Sequence, residues 1–276
     1  MTKKHDIIWL NTIDSTNDEA RRRMDTLDNL SVLSAREQTK GRGQRGNTWS
    51  ADPGENLTFS IVMRFGGHGG LIPVRALDQF VISEIAALTV VDLLASHDIE
   101  AKIKWPNDIY VGSKKICGIL IENSVRDALL STSIIGIGLN INQTVFDPSL
   151  PNPTSMALCT ETNGSNLSPE AVLEEFMDIF KSYCSRYLNI TGGFTRLRRL
   201  YLSQLWCLNE PAEFIDLTTA CTSSSTETDD NVGKQPTGRI FNGTIKGLSP
   251  IGHLRILDTE KGELKEFAFK EIGYII

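Results

Sequence analysis

Two consecutive stretches, "AKIKWPNDIYVGSKKICGILIEN" over 101–123 and "STSIIGIGLNIN" over 131–142, constrain this chain more than any others. Both are crowded with β-branched residues and Gly112-Ser113 supplies a hairpin turn, so three or four strands follow one another here. The second stretch alternates glycine within an apolar strand. Its inner surface is therefore bare at Gly136 and Gly138, with the Asn140 amide at a polar edge. On these residues alone, the bare surface fits tight sheet packing as well as a flat floor for a ligand ring.

Ahead of these strands, short strand-like runs alternate with helical patterns. "IIWLNT" (7–12), "SVLSAR" (31–36) and "NLTFSIVMRF" (56–65) read as strands. "STNDEARRRM" reads as a helix capped by Ser15 or Thr16, with Asp18 and Glu19 in its first turn, where negative charge complements the helix dipole. A longer helix is predicted from about Val74 to His97, where Leu77, Val81, Ile85, Leu88 and Leu93 recur near the helical period. Further on, Ser168 is the cap and Pro169 the first position of a helix with Val172, Phe176, Ile179, Phe180 and Tyr183 on one face. Another, about Phe194 to Trp206, carries Arg196, Arg198 and Arg199 on a polar side that reads as an ordinary solvated face.

From Pro211 the pattern changes to short strands. "AEFIDL", "RIFNGTIKGLS", "HLRILD", "LKEFAF" and "GYII" are separated by turn residues, with "DTEKGE" a clear turn, and predict a small β-barrel. Within it, the polar tract 218–237 has too few apolar residues to offset its ordering entropy, so a mobile loop is expected. The predicted class is α+β: a mixed, largely antiparallel sheet packed with helices over 1–210, then the barrel over 211–276.

Composition removes several function classes. With 28 Lys and Arg against 34 Asp and Glu, the formal charge is -6, and a nucleic-acid role would need a local basic patch. The five cysteines contain no CxxC pair, which argues against zinc and a disulfide framework and suits a reducing cytoplasm. Polar residues interrupt the amino terminus early, and no stretch reaches about 18 uninterrupted apolar residues, so neither secretion nor a membrane span is expected.

The stretch "GRGQRGNTWS" (41–50) carries the first chemical signal. Gly41, Gly43 and Gly46 remove the bulk that would keep backbone N–H groups from a ligand, and successive free N–H groups form an anion-binding nest. Arg42 and Arg45 add forked donors suited to carboxylate or phosphate oxygens. The position between two strands, ending in Trp49 as an anchor or lid, favours a ligand loop over a disordered Arg-Gly tail; a plain turn is the other reading. Trp105-Pro106 then forces an extended residue before a rigid bend, after which Asn107 and Asp108 present short polar side chains. Lys115 opens a mostly apolar strand, where an inward lysine is costly unless paired with an anion, and Gly118 admits a close approach.

Taken together, "DSTNDEA", "AREQTKGRGQRGNTWSADPGENLTFSIVMR", "KWPNDIYVGSKKICGILIEN" and "IIGIGLNIN" resemble the biotin protein ligase family in order and separation. The likeness continues through "GTIKGLSPIGHLRI" and "FKEI", so it covers nearly the whole chain. It implies a class II synthetase-like catalytic domain and a two-step reaction. Biotin's carboxylate attacks the α-phosphate of MgATP to give biotinyl-5'-AMP and pyrophosphate, and a lysine of a biotin carboxyl carrier protein, or of the carrier domain of a biotin-dependent carboxylase, then displaces AMP. The resemblance makes Lys115 the main catalytic residue, bridging the biotin carboxylate and the phosphate, with Arg42 beside it. Asp108 is implied either to orient or deprotonate the incoming amine or to hold Mg2+ or the loop. Ser15, Thr16 and Gln38 match positions that hydrogen-bond the ureido head, Gly41 and Arg42 the loop closing over biotin, and Gly118 and Gly136 the biotin floor. Arg45, Trp49, Asn107 and Asn140 fall on the nucleotide side. No resident metal is assigned.

The chain also departs from the family pattern. Gln44 and Asn47 stand where the loop often carries arginines, leaving Arg42 and Arg45 to hold more of the adenylate. The last strand lacks the late arginine that some members direct at ATP, and Lys270 is the nearest substitute. About six residues precede the first strand, too few for the operator-binding module of bifunctional members, so the resemblance is to the monofunctional type and no DNA partner is expected; without a long apolar run no membrane partner is expected either. Sheet-to-sheet dimers are common in the family, which makes a homodimer an expectation that no strand edge here fixes. Glycine content and two unpaired arginines predict that 41–50 is disordered until the adenylate binds. The rival readings are a lipoate-protein ligase-like acyltransferase, disfavoured by the KWPND and GRG pair, and a non-catalytic adaptor.

Overall fold

Strands flanking the alternating glycines build one sheet, in a computed structural model that describes residues 5–67, 69–160, 167–219 and 238–275 and leaves the Arg45 side chain aside. Two compact units are present, Met1–Trp206 and Cys207–Ile276. In chain order the first contains β1 (Ile7–Ile13), α1 (Thr16–Arg22), β2 (Val32–Gln38), β3 (Leu57–Arg64) and α2 (Phe80–Ser96). There follow β4 (Lys102–Lys104), β5 (Asp108–Val111), β6 (Lys114–Arg126), β7 (Leu129–Leu139), α3 (Met156–Cys159), α4 (Pro169–Tyr183) and α5 (Gly193–Ser203). The seven strands run in the order β1-β2-β3-β7-β6-β5-β4, and β1 with β2 is the parallel pair in an otherwise antiparallel sheet. This is the mixed α+β architecture expected.

Register decides what each face carries. Ala35 lies opposite Thr58, Thr58 opposite Gly138, Gly138 opposite Gly118, and Gly118 opposite Asp108, so one row of small and polar residues crosses five strands. A neighbouring row holds Leu33, Ser60, Gly136 and Leu120. The intervening residues, including Phe59, Ile61, Ile119, Ile135 and Ile137, are buried and point the other way, because strand side chains alternate. There Phe59 meets the Phe176 ring edge-on at 5.1 Å, and Phe176 stacks on Phe180 at 5.9 Å. Helices α2, α4 and α5 pack together behind the sheet. Helix α1 lies on the small-residue face, where Ala20 and Leu27 join Leu33, Val62 and Ile134. It covers one end of that face and leaves the Gly118–Gly138 end to the loop 41–50.

The segment Ala76–Ser96, a short 3-10 turn at Ala76–Asp78 running into α2, is long and apolar enough, by length and composition, to cross a membrane, yet 72% of its most apolar window is buried within the protein. A helix packed on the sheet and on two other helices needs apolar residues nearly all round. Its buried Glu84 pairs with Arg198 of α5. Burial pushes the Glu84 carboxyl up to about 7, against the pull of the Arg198 charge and hydrogen bond. A carboxyl whose folded pKa is raised favours the folded state when protonated, so its stabilising contribution is lost as pH rises from 4.5 through about 7. Glu84→Gln should therefore flatten the pH dependence of Tm across that range, and an unaltered slope would contradict this assignment.

Two helix boundaries differ from expectation because backbone groups are committed elsewhere, and one expected cap bond is not made. Residues 74–76 cannot join α2: Leu130 N–H donates to Val74 O at 2.8 Å and Ala76 N–H to Ala128 O at 2.9 Å. Helix α5 stops at Ser203, short of Trp206, because Ile103 exchanges backbone bonds with Gln204 and Trp206, each 2.8 Å. Ser15 occupies the N-cap position of α1 without a side-chain cap bond; the Asp14 carboxylate accepts from Ser15 N–H instead, at 2.8 Å. Ser168 does cap α4, accepting from Ala171 N–H at 3.3 Å.

The second unit contains β8 (Pro211–Asp216), β9 (Arg239–Leu248), β10 (Leu254–Asp258), β11 (Glu263–Phe267) and β12 (Ile272–Tyr274). They form an antiparallel sheet ordered β11-β10-β9-β8-β12, with Phe214, Phe241, Ile245, Leu254, Ile256 and Phe267 buried. Among the described residues no pairing joins the edge strands β11 and β12, so the unit is a five-stranded sheet and closure into the expected barrel is not seen. Residues 220–237 of the expected mobile loop lie outside the described residues.

Candidate active site

The loop 41–50 folds back on itself. Trp49 N–H donates to Gly41 O at 2.9 Å, Gly43 N–H to Asn47 O at 2.7 Å, and Arg42 and Thr48 form an isolated antiparallel bridge. A Cβ at Gly41 would overlap the Trp49 carbonyl, which is why the turn needs glycine there. This hairpin lays the Trp49 indole across the bare strip of the sheet: a Cβ at Gly138 would overlap the indole ring, and one at Gly118 would come within 3.0 Å of it. Trp49 Nε1 is buried there with no hydrogen-bond partner.

Lys115 reaches the same face through a bulge. Opposite β5, Ile109 pairs with Cys117 and Tyr110 with Lys115, so Ile116 is an extra residue. In a regular strand positions 115 and 118 would face opposite ways; the extra residue reverses the parity. Lys115 Nζ consequently sits 2.7 Å from Asp108 Oδ1 and 5.8 Å from the centre of the Trp49 ring. The lysine is half-buried at the rim of the glycine strip, as an inward lysine paired with a carboxylate. Cys117, two residues on, belongs to the opposite face, where burial pushes its thiol far above the ordinary range and keeps it protonated.

Both asparagines expected on the nucleotide side commit an amide N–H to the fold. Asn107 Nδ2 donates to Ile119 O at 2.9 Å, fixing the turn after cis Trp105-Pro106 to β6. Asn140 Nδ2 donates to Thr154 O at 2.8 Å and holds the 153–156 segment against β7.

At the other end of the strip, α1 drops polar side chains onto the sheet. Thr16 N–H donates to Gln38 Oε1 at 2.7 Å, and Ser60 Oγ lies 2.8 Å from Thr16 Oγ1 and 2.6 Å from Asn17 Oδ1. Asn17 Nδ2 donates to Glu122 Oε2 at 2.9 Å. Gly136, expected to line the ligand floor, instead faces this amide, because a Cβ there would overlap Asn17 Oδ1. Ser15 and Thr16 are buried beside it. Arg42 is not the unpaired cation expected: its Nη1 lies 2.7 Å from Asp18 Oδ1 and its Nη2 3.0 Å from Glu122 Oε1. Burial alone would raise the Glu122 carboxyl, but hydrogen bonds from Asn17 and Arg42 and the charges of Arg42 and Arg21 hold it below the usual range.

The structure thus brings together Lys115, Asp108, Gly118 and Trp49 at one end, and Ser15, Thr16, Gln38, Gly136 and Arg42 at the other. Sequence reasoning missed Asn17, Ser60 and Glu122. Glu122 carried the same signal as Lys115, a charge inside an apolar run. No group of three or more His, Cys, Asp or Glu is placed to hold a metal among the described residues.

Comparison with known proteins locates this arrangement. The profile of the biotin/lipoate A/B protein ligase family matches residues 9–140. A biotin--[acetyl-CoA-carboxylase] ligase of Paracoccus denitrificans is 32% identical over 207 residues, covering 72% of this chain and 80% of the relative. The chain belongs to the biotin/lipoate A/B protein ligase family. It also matches the bifunctional ligase/repressor BirA of Bacillus spizizenii at 30% identity over 174 residues, 62% of this chain, and so spans half the length of that relative. In three dimensions it resembles the biotin protein ligase from Aquifex aeolicus in complex with biotin and ATP, with a TM-score of 0.69, 24% identity and 98% of each chain covered. A second likeness is the Leishmania major biotin protein ligase in complex with biotinyl-5-AMP, at TM-score 0.57 and 22% identity over 96% of this chain and 99% of that one. At these identities the likeness establishes the ligase-family fold. The family profile spans α1, the 41–50 hairpin, the Asp108–Lys115 pair and both glycines of the strip.

Proposed function

We propose that this ligase-family chain activates biotin with MgATP as biotinyl-5'-AMP and transfers the biotinyl group to a lysine of the carrier domain of a biotin-dependent carboxylase, working in the cytoplasm. The observation that carries the reading is the Lys115–Asp108 pair at the edge of a glycine-bare strip on which the Trp49 indole lies. A strip that seats one flat ring accepts another once the hairpin lifts the indole away, and a cation at its rim suits the carboxylate such a ring carries.

The first step requires no general base, since a carboxylate is already ionised at neutral pH. It requires neutralised charge and alignment. Lys115 Nζ, with Arg42 swung in from the hairpin, draws the carboxylate oxygen and the α-phosphate together; the new O–P bond forms as the bond to pyrophosphate breaks. Mg2+ enters with the nucleotide as part of the substrate. In the second step a neutral lysine amine attacks the acyl carbon, the C–O bond to AMP breaks, and Asp108, its Lys115 partner then engaged with the ligand, takes the amine proton. Trp49 covers the mixed anhydride from water in the interval. Lipoate is the runner-up acid; the name of the Paracoccus denitrificans relative and the KWPND and GRG motifs favour biotin. Incubation of a recombinant biotin carrier domain with MgATP and either biotin or lipoate should add one biotinyl mass at the acceptor lysine in the first case and leave the carrier unmodified in the second. A carrier left unmodified with biotin, or one modified only with lipoate, would count against the proposal.

A further inference from the structure

Arg42 belongs to a closed ring of four alternating charges. Arg42 Nη1 and Arg21 Nη1 lie 2.7 and 2.8 Å from the same Asp18 Oδ1, while Arg42 Nη2 and Arg21 Nη2 lie 3.0 and 2.7 Å from the same Glu122 Oε1. Each guanidinium bridges both carboxylates, so the ring is neutral and each acid has two partners. Its members differ in what anchors them. Asp18 and Arg21 stand one turn apart on α1, and Glu122 is on β6 with Asn17 Nδ2 fixing its second oxygen at 2.9 Å. Arg42 alone comes from the hairpin, between two glycines.

This asymmetry has a chemical consequence. An arginine serving two carboxylates resists transfer to a ligand anion, because its departure would leave both acids uncompensated beside an incoming negative charge. Here Arg21 already touches both. The arginine side chains are 39% and 53% exposed, and ion pairs in such surroundings are weak enough to exchange.

We propose that Asp18, Arg21 and Glu122 are positioning residues for Arg42: they park its guanidinium beside the glycine strip while no anion is bound, and Arg21 keeps both carboxylates paired when Arg42 turns to the carboxylate or phosphate oxygens of the ligand. The part concerning ligand rests on the biotin-activating reading above; the parking of the hairpin does not.

The full chain tests both parts. Tryptic cleavage at the Arg42–Gly43 bond, followed by mass spectrometry without ligand, reads how firmly Arg42 is parked. Glu122→Gln and Asp18→Asn should each speed that cleavage about threefold to fivefold, with Glu122→Asp restoring much of the protection. Arg21→Gln should leave cleavage no faster than in the unsubstituted chain, since Arg42 becomes the one cation paired with both acids. In biotin-dependent pyrophosphate exchange, Arg21→Gln should raise the KM for biotin about threefold to fivefold with kcat little changed, and adding Glu122→Gln should bring the KM back down. Unchanged cleavage in Glu122→Gln and Asp18→Asn overturns the parking. Faster cleavage in Arg21→Gln, or an unmoved KM, overturns the exchange and makes the ring a static brace. If the unsubstituted chain shows no biotin-dependent exchange, the ligase reading fails, and the cleavage comparison alone decides the parking.

Discussion

Lys115→Ala lowers biotin-dependent exchange of pyrophosphate into ATP by about a hundredfold to a thousandfold, the cost usual for one preorganised electrostatic donor. The geometry places the loss toward the upper end of that range. Asp108 Oδ1 has Lys115 Nζ at 2.7 Å; without the lysine, Asp108 presents an uncompensated carboxylate to a substrate carrying a carboxylate and three phosphates. Because the side chain is half-buried at the rim rather than in the core, the variant should fold with nearly the original Tm, so lost rate reports chemistry. Lys115→Arg should recover only part of the rate, since a planar fork replaces a compact ammonium at the bulge. Activity of Lys115→Ala within about threefold of the unsubstituted chain would place the cation elsewhere in the site.

Gly136→Ala destabilises the chain by about 2–4 kcal/mol, combining overpacking with a disturbed buried hydrogen-bond network. The added methyl would overlap Asn17 Oδ1, which accepts from Ser60 at 2.6 Å while Nδ2 of the same amide donates to Glu122 at 2.9 Å. Asn17 sits on α1, pinned by Ala20 against Leu33 and Val62, and cannot back away without lifting the helix. Calorimetry should show Tm falling by roughly 5–15 °C. Gly138→Ala provides the contrast. The atoms its methyl would meet first all belong to the Trp49 indole, carried on a surface hairpin rather than on a packed helix, so the displacement should cost the cover of the site more than the stability of the fold. Equal Tm values for Gly136→Ala and the unsubstituted chain would mean that Asn17 is not locked as described.

Local pattern was enough for the strands and for the cap at Ser168-Pro169, because side-chain periodicity and capping act over a few residues. It was also enough to mark Lys115 and the glycines of β7, whose residue types conflict with an apolar strand unless something approaches them. Strand order was out of reach, since nothing in β7 itself says that it lies between β3 and β6. The same limit hid the partners of Arg42: Glu122 is 80 positions away and meets it only through the sheet. The ends of α2 and α5 were misplaced because backbone groups at 74–76 and 204–206 pair with distant strands, and helical periodicity carries no record of that competition. The bulge at Ile116, which gives Lys115 its face, is likewise a product of pairing rather than of sequence alternation.

The central claim is that the Lys115 end of the glycine strip activates biotin. Its most direct test is exchange of labelled pyrophosphate into ATP by the purified chain, with biotin or lipoate as the only added acid and no carrier protein present. Exchange with biotin and none with lipoate is the predicted result. Exchange driven by lipoate alone, or by neither acid, would contradict the account and leave the chain with the family fold but a different chemistry.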